Sequence, residues 1–176
     1  MKGKIIVIIS VIVVVIGIII GTILLLRKED KKEITELEYL YFSYSNGYAM
    51  NSNIYYHLEK KGDNYLATIK PYEVPEEKKL EINVATNFVD KVLKVLNNYN
   101  VSSWDGFAKY DKDVLDGDSF TMHIKCINGD YISANGYMQY PENYREVENE
   151  LDKIFMELYN RKTGGSLWKK KNLVEY

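Results

Sequence analysis

The pattern of apolar and polar positions divides the chain into one continuous apolar segment and a longer region of alternating and helical segments. The run from Ile5 to Leu26 carries no charge and, at about 1.5 Å per residue, extends roughly 33 Å, the thickness of a hydrocarbon core. Cleavable signal peptides have apolar regions of about 7–15 residues and an Ala-x-Ala-like site, which this segment lacks. We therefore expect an uncleaved transmembrane helix at 5–26, with a short head at 1–4.

Segments with period-two alternation, which is typical of β-strands, follow the anchor. The first three are ELEYLYFSYS, NSNIYYHLEK and NYLATIKPY, and KKGDN between the last two predicts a hairpin. Two more, SFTMHIKC and YISANGYMQY, flank INGD, an Asn-Gly turn of the kind that closes a two-residue hairpin.

Two segments have apolar residues at helical spacing. One lies within residues 83–100, with its stripe at Ala85, Phe88, Val92, Val95, Leu96 and Tyr99. In the other, Asn143 is the expected N-cap, Glu146 completes a capping box, and the stripe is Tyr144, Val147, Leu151, Ile154, Phe155 and Leu158. The order β-β-β-α-β-β-α predicts a two-layer α+β domain, an antiparallel sheet of about five strands with both helices on one face.

The domain boundaries follow from composition. We expect a charged linker at 27–35, the α+β domain at 36–162 and a flexible tail at 163–176. Counted alone, lysine and arginine favour the opposite orientation, with Arg27, Lys28, Lys31 and Lys32 after the anchor against Lys2 and Lys4 before it. The basic residues after the anchor alternate with acidic ones, however, and the head is too short to favour export. The head is therefore expected in the cytoplasm and the domain outside it, in the cell membrane as a single-pass protein.

Alternation also assigns the strand faces. The residues expected to face the helices are Ile54, Tyr56, Leu58, Phe120, Met122, Ile124, Cys126, Ile132, Ala134, Gly136 and Met138. The opposite face is polar and aromatic, and its candidate binding residues are Tyr55, His57, His123, Lys125, Tyr131, Asn135 and Tyr137. Tyrosine combines apolar area with a hydroxyl, which suits recognition of protein, peptide or glycan, although it is also simply a good strand former.

Charge argues against nucleic acid as a partner. The chain carries a net charge of −2, and because Lys2 and Lys4 precede the anchor, the remainder carries about −4. Cys126 is the single cysteine, so no intramolecular disulfide is possible.

The aspartate-rich stretch at 105–118 allows three interpretations. Asp111 and Asp113 begin an EF-hand-like series, but Leu115 occupies its fifth position and Met122 its twelfth. An acid/base pair of Asp116 and Asp118 would need a substrate cleft and a reason for one of the two pKa values to rise, and the sequence indicates neither. We favour two turns, Asp105-Gly106 and Asp116-Gly117, in which glycine supplies positive φ.

No cofactor or catalytic set is predicted. The strand faces separate Cys126 from both histidines, which argues against zinc and against cysteine-histidine catalysis. A phosphate-cradling glycine loop and a Gly-x-Ser-x-Gly elbow are absent from the sequence.

Residues 104–158 contain a pattern of W-x-G-F, V-L-D-G-x-x-F, a turn glycine, I-x-A-x-G and P-x-x-Y. Its residues are Trp104, Gly106, Phe107, Val114, Leu115, Asp116, Gly117, Phe120, Gly129, Ile132, Ala134, Gly136, Pro141 and Tyr144. This pattern resembles an uncharacterised domain of membrane-anchored proteins and lipoproteins of low-GC Gram-positive bacteria. The resemblance implies an extracytoplasmic placement and a loop held by Trp104, Phe107 and Phe120, and it implies no activity.

The sequence thus predicts a non-enzymatic, membrane-anchored extracytoplasmic binding module. Two other hypotheses stay open: a hydrolase-like envelope enzyme with its site at loop 105–118, and an accessory subunit of a membrane complex.

Overall fold

The computed structural model describes residues 32–45 and 53–165. This part of the chain forms seven strands, two α-helices and short 3-10 turns at Glu76–Lys78 and Val101–Trp104. The strands are β1 (Leu37–Ser45), β2 (Ile54–Lys61), β3 (Asn64–Lys70), β4 (Leu80–Val84), β5 (Ala108–Tyr110), β6 (Ser119–Cys126) and β7 (Tyr131–Tyr137). The helices are α1 (Thr86–Asn98) and α2 (Tyr144–Thr163). The predicted α+β class is confirmed.

All seven strands belong to one sheet, in the order β4-β3-β2-β1-β6-β7-β5. Neighbours are antiparallel except β5, which runs parallel to β7, so the sheet is mixed. The predicted antiparallel sheet of about five strands was therefore wrong in number and in direction. The missed strands β4 and β5 are the two edges. Strand β5 has three residues, too few for alternation to be recognised, whereas β4 alternates over five residues, of which the last two lay in the segment assigned to the helix, 83–100.

Strand β1 occupies the centre because it pairs with both halves of the chain. It is antiparallel to β2 on one side and to β6 on the other. From Tyr39 onward its residues alternate, with Leu40, Phe42 and Tyr44 buried and Tyr39 and Tyr41 half-buried on the opposite face. A strand with two neighbours and one covered face fixes which face of the sheet receives the helices.

Both helices lie on the face that carries Phe42 and Tyr56. The ring of Phe155 on α2 stacks on Tyr56 with centroids 4.6 Å apart and meets Phe88 of α1 edge-on at 5.2 Å. The ring of Tyr144, at the start of α2, lies edge-on to that of Phe42, with centroids 6.3 Å apart. The helix layer and the inner side of the sheet share one apolar core.

The predicted inner face is confirmed with one exception. Met138 is 37% exposed because it follows the last residue of β7 and has φ +53, which turns the chain out of the sheet. Gly62 closes the predicted β2–β3 hairpin at φ +63. The turn between β6 and β7 has three residues rather than two, since Cys126 N donates to Asp130 O and Gly129 takes φ +89.

The start of α2 differs from the prediction. Asn143 is the N-cap residue, but its φ of +60 and ψ of +17 are left-handed, and its side chain makes no capping hydrogen bond. A capping side chain reaches the first turn from an extended backbone, so the predicted capping box with Glu146 does not form. Instead, Trp104 Nε1 donates to Glu142 O at 3.1 Å and holds this end against the Val101–Trp104 turn.

The apolar core begins inside the predicted linker. Ile34 is buried, and it exchanges two 2.8 Å hydrogen bonds with the side-chain amide of Asn97 on α1. The predicted head (1–4), the anchor (5–26), most of the linker and most of the tail lie outside the described residues. Within 32–45 and 53–165, no helix is both long and apolar enough to cross a membrane.

Gly106 and Gly117 serve different purposes. Gly106 has φ +75, as predicted for a turn, and its N–H donates to Ser133 O at 3.0 Å. Gly117 does not have positive φ, and that prediction was wrong. It is buried where a Cβ would overlap the side chain of Met138 and touch the ring of Tyr137. Space, and not backbone conformation, requires glycine at this position.

We predict that Gly117→Val lowers the free energy of unfolding by about 1–3 kcal/mol through overpacking. Met138→Ala in the same chain removes the overlapped atoms and should restore most of the loss, as measured by thermal unfolding of the purified protein. The control is Met138→Ala alone, and a double variant no more stable than Gly117→Val would show that crowding by Met138 is not the cause.

Candidate functional site

The face of the sheet opposite the helices carries a continuous row of aromatic and imidazole rings. The backbone register places Tyr41 of β1 directly between His57 of β2 and His123 of β6. Further rings stand above and below this row on β1, β2 and β7. We call this surface the tyrosine–histidine face and define it by Tyr39, Tyr41, Tyr55, His57, His123 and Tyr131.

Ring contacts join these residues in two groups, one of four rings across β2, β1, β6 and β7, and the pair Tyr39 and His57. The ring centroid of Tyr41 lies 6.0 Å from that of Tyr55 and 6.3 Å from that of His123. The ring of His123 stacks in turn on Tyr131, with centroids 6.0 Å apart. Tyr39 packs on His57 at 4.9 Å. Because each ring is supported by a neighbour, the side chains of this face are held in place before any partner binds, which reduces the entropy cost of binding.

The two histidines have different surroundings. His123 Nδ1 lies 3.0 Å from Tyr131 Oη and 3.2 Å from Ser133 Oγ, within hydrogen-bond distance of both. His57 Nε2 is buried with no hydrogen-bond partner among the described residues. Loss of solvent around it, reinforced by Lys61 and Lys79 and opposed by Glu59, lowers the pKa of His57. His57 is therefore held in its neutral form.

The charged residues of this face are balanced by opposite charges. Lys125 Nζ lies 2.7 Å from Glu38 Oε1, and Lys61 Nζ lies 2.5 Å from Glu59 Oε1. At the β3 end, Lys79 lies 3.0 Å from Glu76. A face without excess charge does not select a phosphate-rich partner.

The β3 end of the face is closed by the connection to β4. Tyr55 Oη donates to Glu76 Oε1 at 2.6 Å, and burial together with this acceptor raises the pKa of Tyr55 to about 12. Lys70 is buried, and its Nζ donates to Asn53 O at 2.6 Å. The accessible part of the face therefore lies over β1, β6 and β7, where Tyr131 is 53% exposed.

The remaining predicted binding residues lie on the same side of the sheet. Lys125 stands opposite Tyr39 and beside Tyr131, and Asn135 lies opposite Thr121. Tyr137 is at the far edge, where its ring stacks on Tyr110 of β5 at 4.8 Å. The seven predicted residues thus share one face, but they lie on three strands, β2, β6 and β7, with β1 between them, and do not converge on a single point.

The carboxylates of loop 105–118 do not converge either. Asp105 Oδ1 accepts from Ser133 N at 3.1 Å, and Asp111 Oδ1 accepts from Asp113 N at 3.0 Å, both as backbone-directed bonds. Asp118 points instead toward Arg145, at 3.6 Å. Residues 108–110 of this stretch form β5, so the predicted connection also contains a strand. The described residues contain no group of three side chains placed to hold a metal ion.

Cys126 lies on the inner face, away from both histidines. It is a buried thiol, and loss of solvent raises its pKa. Two depressions occur in the described surface, an open one of about 480 Å³ along Glu76, Glu77, Lys79 and Glu81, and one of about 60 Å³ near Cys126 and Asp130. Neither is lined by a histidine.

The sequence reasoning missed a buried cluster of tyrosines and carboxylates between α2 and the sheet. Asp152 Oδ1 accepts hydrogen bonds from Tyr44 Oη at 2.5 Å and from Tyr56 Oη at 2.8 Å. Asp152 is 3% exposed, and Glu148, one turn earlier, is 5% exposed. Burial raises the pKa of both tyrosines, and the neighbouring carboxylate of Asp152 adds to this effect, so the two hydroxyls stay protonated donors.

Arg145 stands where this cluster meets the solvent. Its guanidinium donates to Glu148 Oε2 at 2.8 Å and lies over the rings of Tyr140 and Tyr144, 4.6 and 5.3 Å from their centroids. It also reaches Asp118 at 3.6 Å. Arg145 therefore provides a positive charge to the otherwise acidic cluster and attaches the aspartate-rich loop to α2.

The helical spacing contained a signal for this cluster. Glu148 and Asp152 follow Tyr144 at steps of four, so they fall on the same helix face as the apolar stripe. Acidic residues within an apolar stripe require buried hydrogen-bond partners, and tyrosines on the inner positions of β1 and β2 could supply them. The alternation pattern cannot show which tyrosines lie opposite Asp152.

No protein-family model matches this chain, and no curated protein matches it significantly. The resemblance to a domain of membrane-anchored proteins and lipoproteins accordingly stays a prediction.

We predict that Asp152→Ala destabilises the protein by about 1–3 kcal/mol for each buried hydroxyl left without this acceptor. Asp152→Asn should cost less, because its side-chain oxygen still accepts. Thermal unfolding of the purified variants measures both, and Tyr44→Phe and Tyr56→Phe, which remove the donor instead, are the matched controls. Equal stability of Asp152→Ala and the parent protein would contradict this role.

Proposed function

We propose that this protein is a single-pass, membrane-anchored extracytoplasmic module that binds another protein through its tyrosine–histidine face and catalyses no reaction. The observation that carries the proposal is the set of mutually supported rings, four in one group and two in another, on the side of the sheet opposite the helices. The segment from Ile5 to Leu26 supports the anchor, and Lys2 and Lys4 before it, against basic residues that alternate with acidic ones after it, support the orientation.

Three properties of the face favour a protein partner. Its centre is aromatic, and aromatic residues are enriched at protein interfaces and at their energetic hot spots. Its charges are paired within the face, so a partner need not be strongly charged. Its rings stand on a sheet, the open depression does not involve them and the one of about 60 Å³ reaches only Tyr131 among them, which suits an extended contact area better than a small enclosed ligand.

The non-enzymatic part of the proposal is based on where the polar side chains point. Three of the five aspartates of loop 105–118 have structural contacts: Asp105 and Asp111 accept backbone hydrogen bonds, and Asp118 faces Arg145. The Tyr44–Tyr56–Asp152 cluster is enclosed between α2 and the sheet, where a substrate has no access. These arrangements support a structural role for both sets of carboxylates.

The orientation is tested with a reporter enzyme that is active only outside the membrane, fused after Tyr176. We predict activity from this fusion, because the proposed orientation places the residues that follow the helix outside the membrane. The matched control is the same fusion without residues 5–26, which should be inactive. Activity solely of a cytoplasmic reporter fused at the same position would contradict the orientation.

The binding face is tested with a photoreactive amino acid in the full-length protein in cells. Placed at Tyr131, it should give a discrete crosslinked protein product, whereas placement at Lys94, exposed on α1, should give none. Tyr41→Ala should reduce the Tyr131 product about 30-fold, since a hot-spot tyrosine contributes about 2 kcal/mol. An unchanged melting temperature for Tyr41→Ala is required for this comparison.

Three outcomes would refute a protein partner at this face. The first is equal product yield from positions 131 and 94. The second is a product that resists protease but is removed by glycan-cleaving treatment, which would identify a glycan. The third is a product that contains only two copies of this chain.

A further inference from the structure

Strand β4 forms one edge of the sheet and has a partner on one side only. It pairs with β3 through five residues, from Leu80 opposite Ile69 to Val84 opposite Tyr65. Among residues 32–45 and 53–165, no backbone hydrogen bond joins the other side of β4 to another segment. This edge therefore presents a row of backbone donors and acceptors that a further strand can use.

The opposite edge is protected in a way that β4 is not. Strand β5 has three residues, and its central residue is Lys109. Antiparallel pairing of β5 with a second β5 would place Lys109 against Lys109, and like charges directly opposite each other are destabilising. The central residue of β4 is Ile82, for which the same pairing is apolar against apolar.

The side chains of β4 complement themselves about Ile82. Leu80 and Ile82 are half-buried and Val84 is buried on the helix side, while Glu81 and Asn83 are exposed on the other side. A twofold axis through Ile82 places Leu80 opposite Val84 of a second copy and keeps each face of the sheet continuous. In this register all five residues of β4 are paired with residues of the second copy, whereas any shifted register leaves some of them unpaired.

Charges favour the same register. With Ile82 on the axis, each Glu81 lies opposite Asn83 of the other copy, and a carboxylate can accept from that amide. Lys79 then lies opposite Ala85, so no like charges are paired. Moving the axis by one residue to Glu81 would oppose the two carboxylates and is disfavoured.

We propose that β4 pairs antiparallel with β4 of a second copy of this chain, with Ile82 on the twofold axis, so that two sheets become one. The pairing is independent of the partner on the tyrosine–histidine face. A five-residue strand provides less area than the roughly 1,200–2,000 Å² of a standard stable interface, so the association is weak and concentration-dependent.

Cysteine crosslinking of the full-length purified chain in detergent, at high protein concentration, tests this register. Directly opposed residues have Cα atoms about 4.5–5.5 Å apart, which fits a disulfide. Under mild oxidation, Ile82→Cys should form a covalent dimer at least tenfold faster than Lys109→Cys, the matched position on the other edge. The parent protein should form none, because Cys126 is buried.

A mixture of two differently tagged variants tests the register further. Glu81→Cys mixed with Asn83→Cys should give mainly the mixed dimer, since these positions oppose each other across the axis. The proposal is overturned if Ile82→Cys reacts no faster than Lys109→Cys, or if Glu81→Cys alone dimerises better than the mixture. It is also overturned if removal of residues 166–176 accelerates the Ile82→Cys reaction, because the tail would then be what covers this edge.

Discussion

The hydrogen bonds from Tyr44 and Tyr56 to Asp152 tie the long helix α2 to the two central strands, and the remaining packing depends on them. A buried carboxylate is tolerated only with partners, and these two hydroxyls come from adjacent strands at one depth in the core. Once Asp152 is fixed, Phe155 one turn later must lie on Tyr56, and Phe88 of α1 closes against Phe155. The polar contact sets the rotation of α2, and the apolar rings supply most of the buried area.

This arrangement assigns different roles to the two faces of the sheet. Tyrosines on the inner face donate to Asp152 or, as Tyr65 does, to the backbone oxygen of Leu37. Tyrosines on the outer face contact one another and the histidines. The same residue type therefore acts as a buried hydrogen-bond donor on one side and as accessible aromatic surface on the other, because position parity alone decides which side it occupies.

Much of the fold could be predicted from the pattern, for physical reasons that also explain the failures. Long alternating segments such as 119–126 have one stable face assignment, and the prediction that Phe120, Met122 and Ile124 are buried was correct. Strand β5 was missed because three residues carry no recognisable pattern, and β4 because its alternation runs directly into the helical segment at 83–100. The role of Gly117 was misassigned because turn statistics favour Asp-Gly with positive φ, whereas here the side chain of Met138 occupies the space. The tyrosine–carboxylate cluster required the pairing of residues 108 positions apart, which no local pattern contains.

The central position of β1 has a consequence for synthesis. The ribosome releases β1 early, together with β2 and β3, but its second neighbour β6 comes much later, with Ser45 and Ser119 separated by 74 positions. Until β6 has been made, β1, which carries Leu40, Phe42 and Tyr44 on its inner face, has one edge without a neighbouring strand. A sheet whose middle strand must wait for a distant segment folds slowly, and its nascent chain exposes an aggregation-prone edge. The interval between the appearance of β1 and that of β6 is therefore the period in which this edge is most open to pairing with another chain.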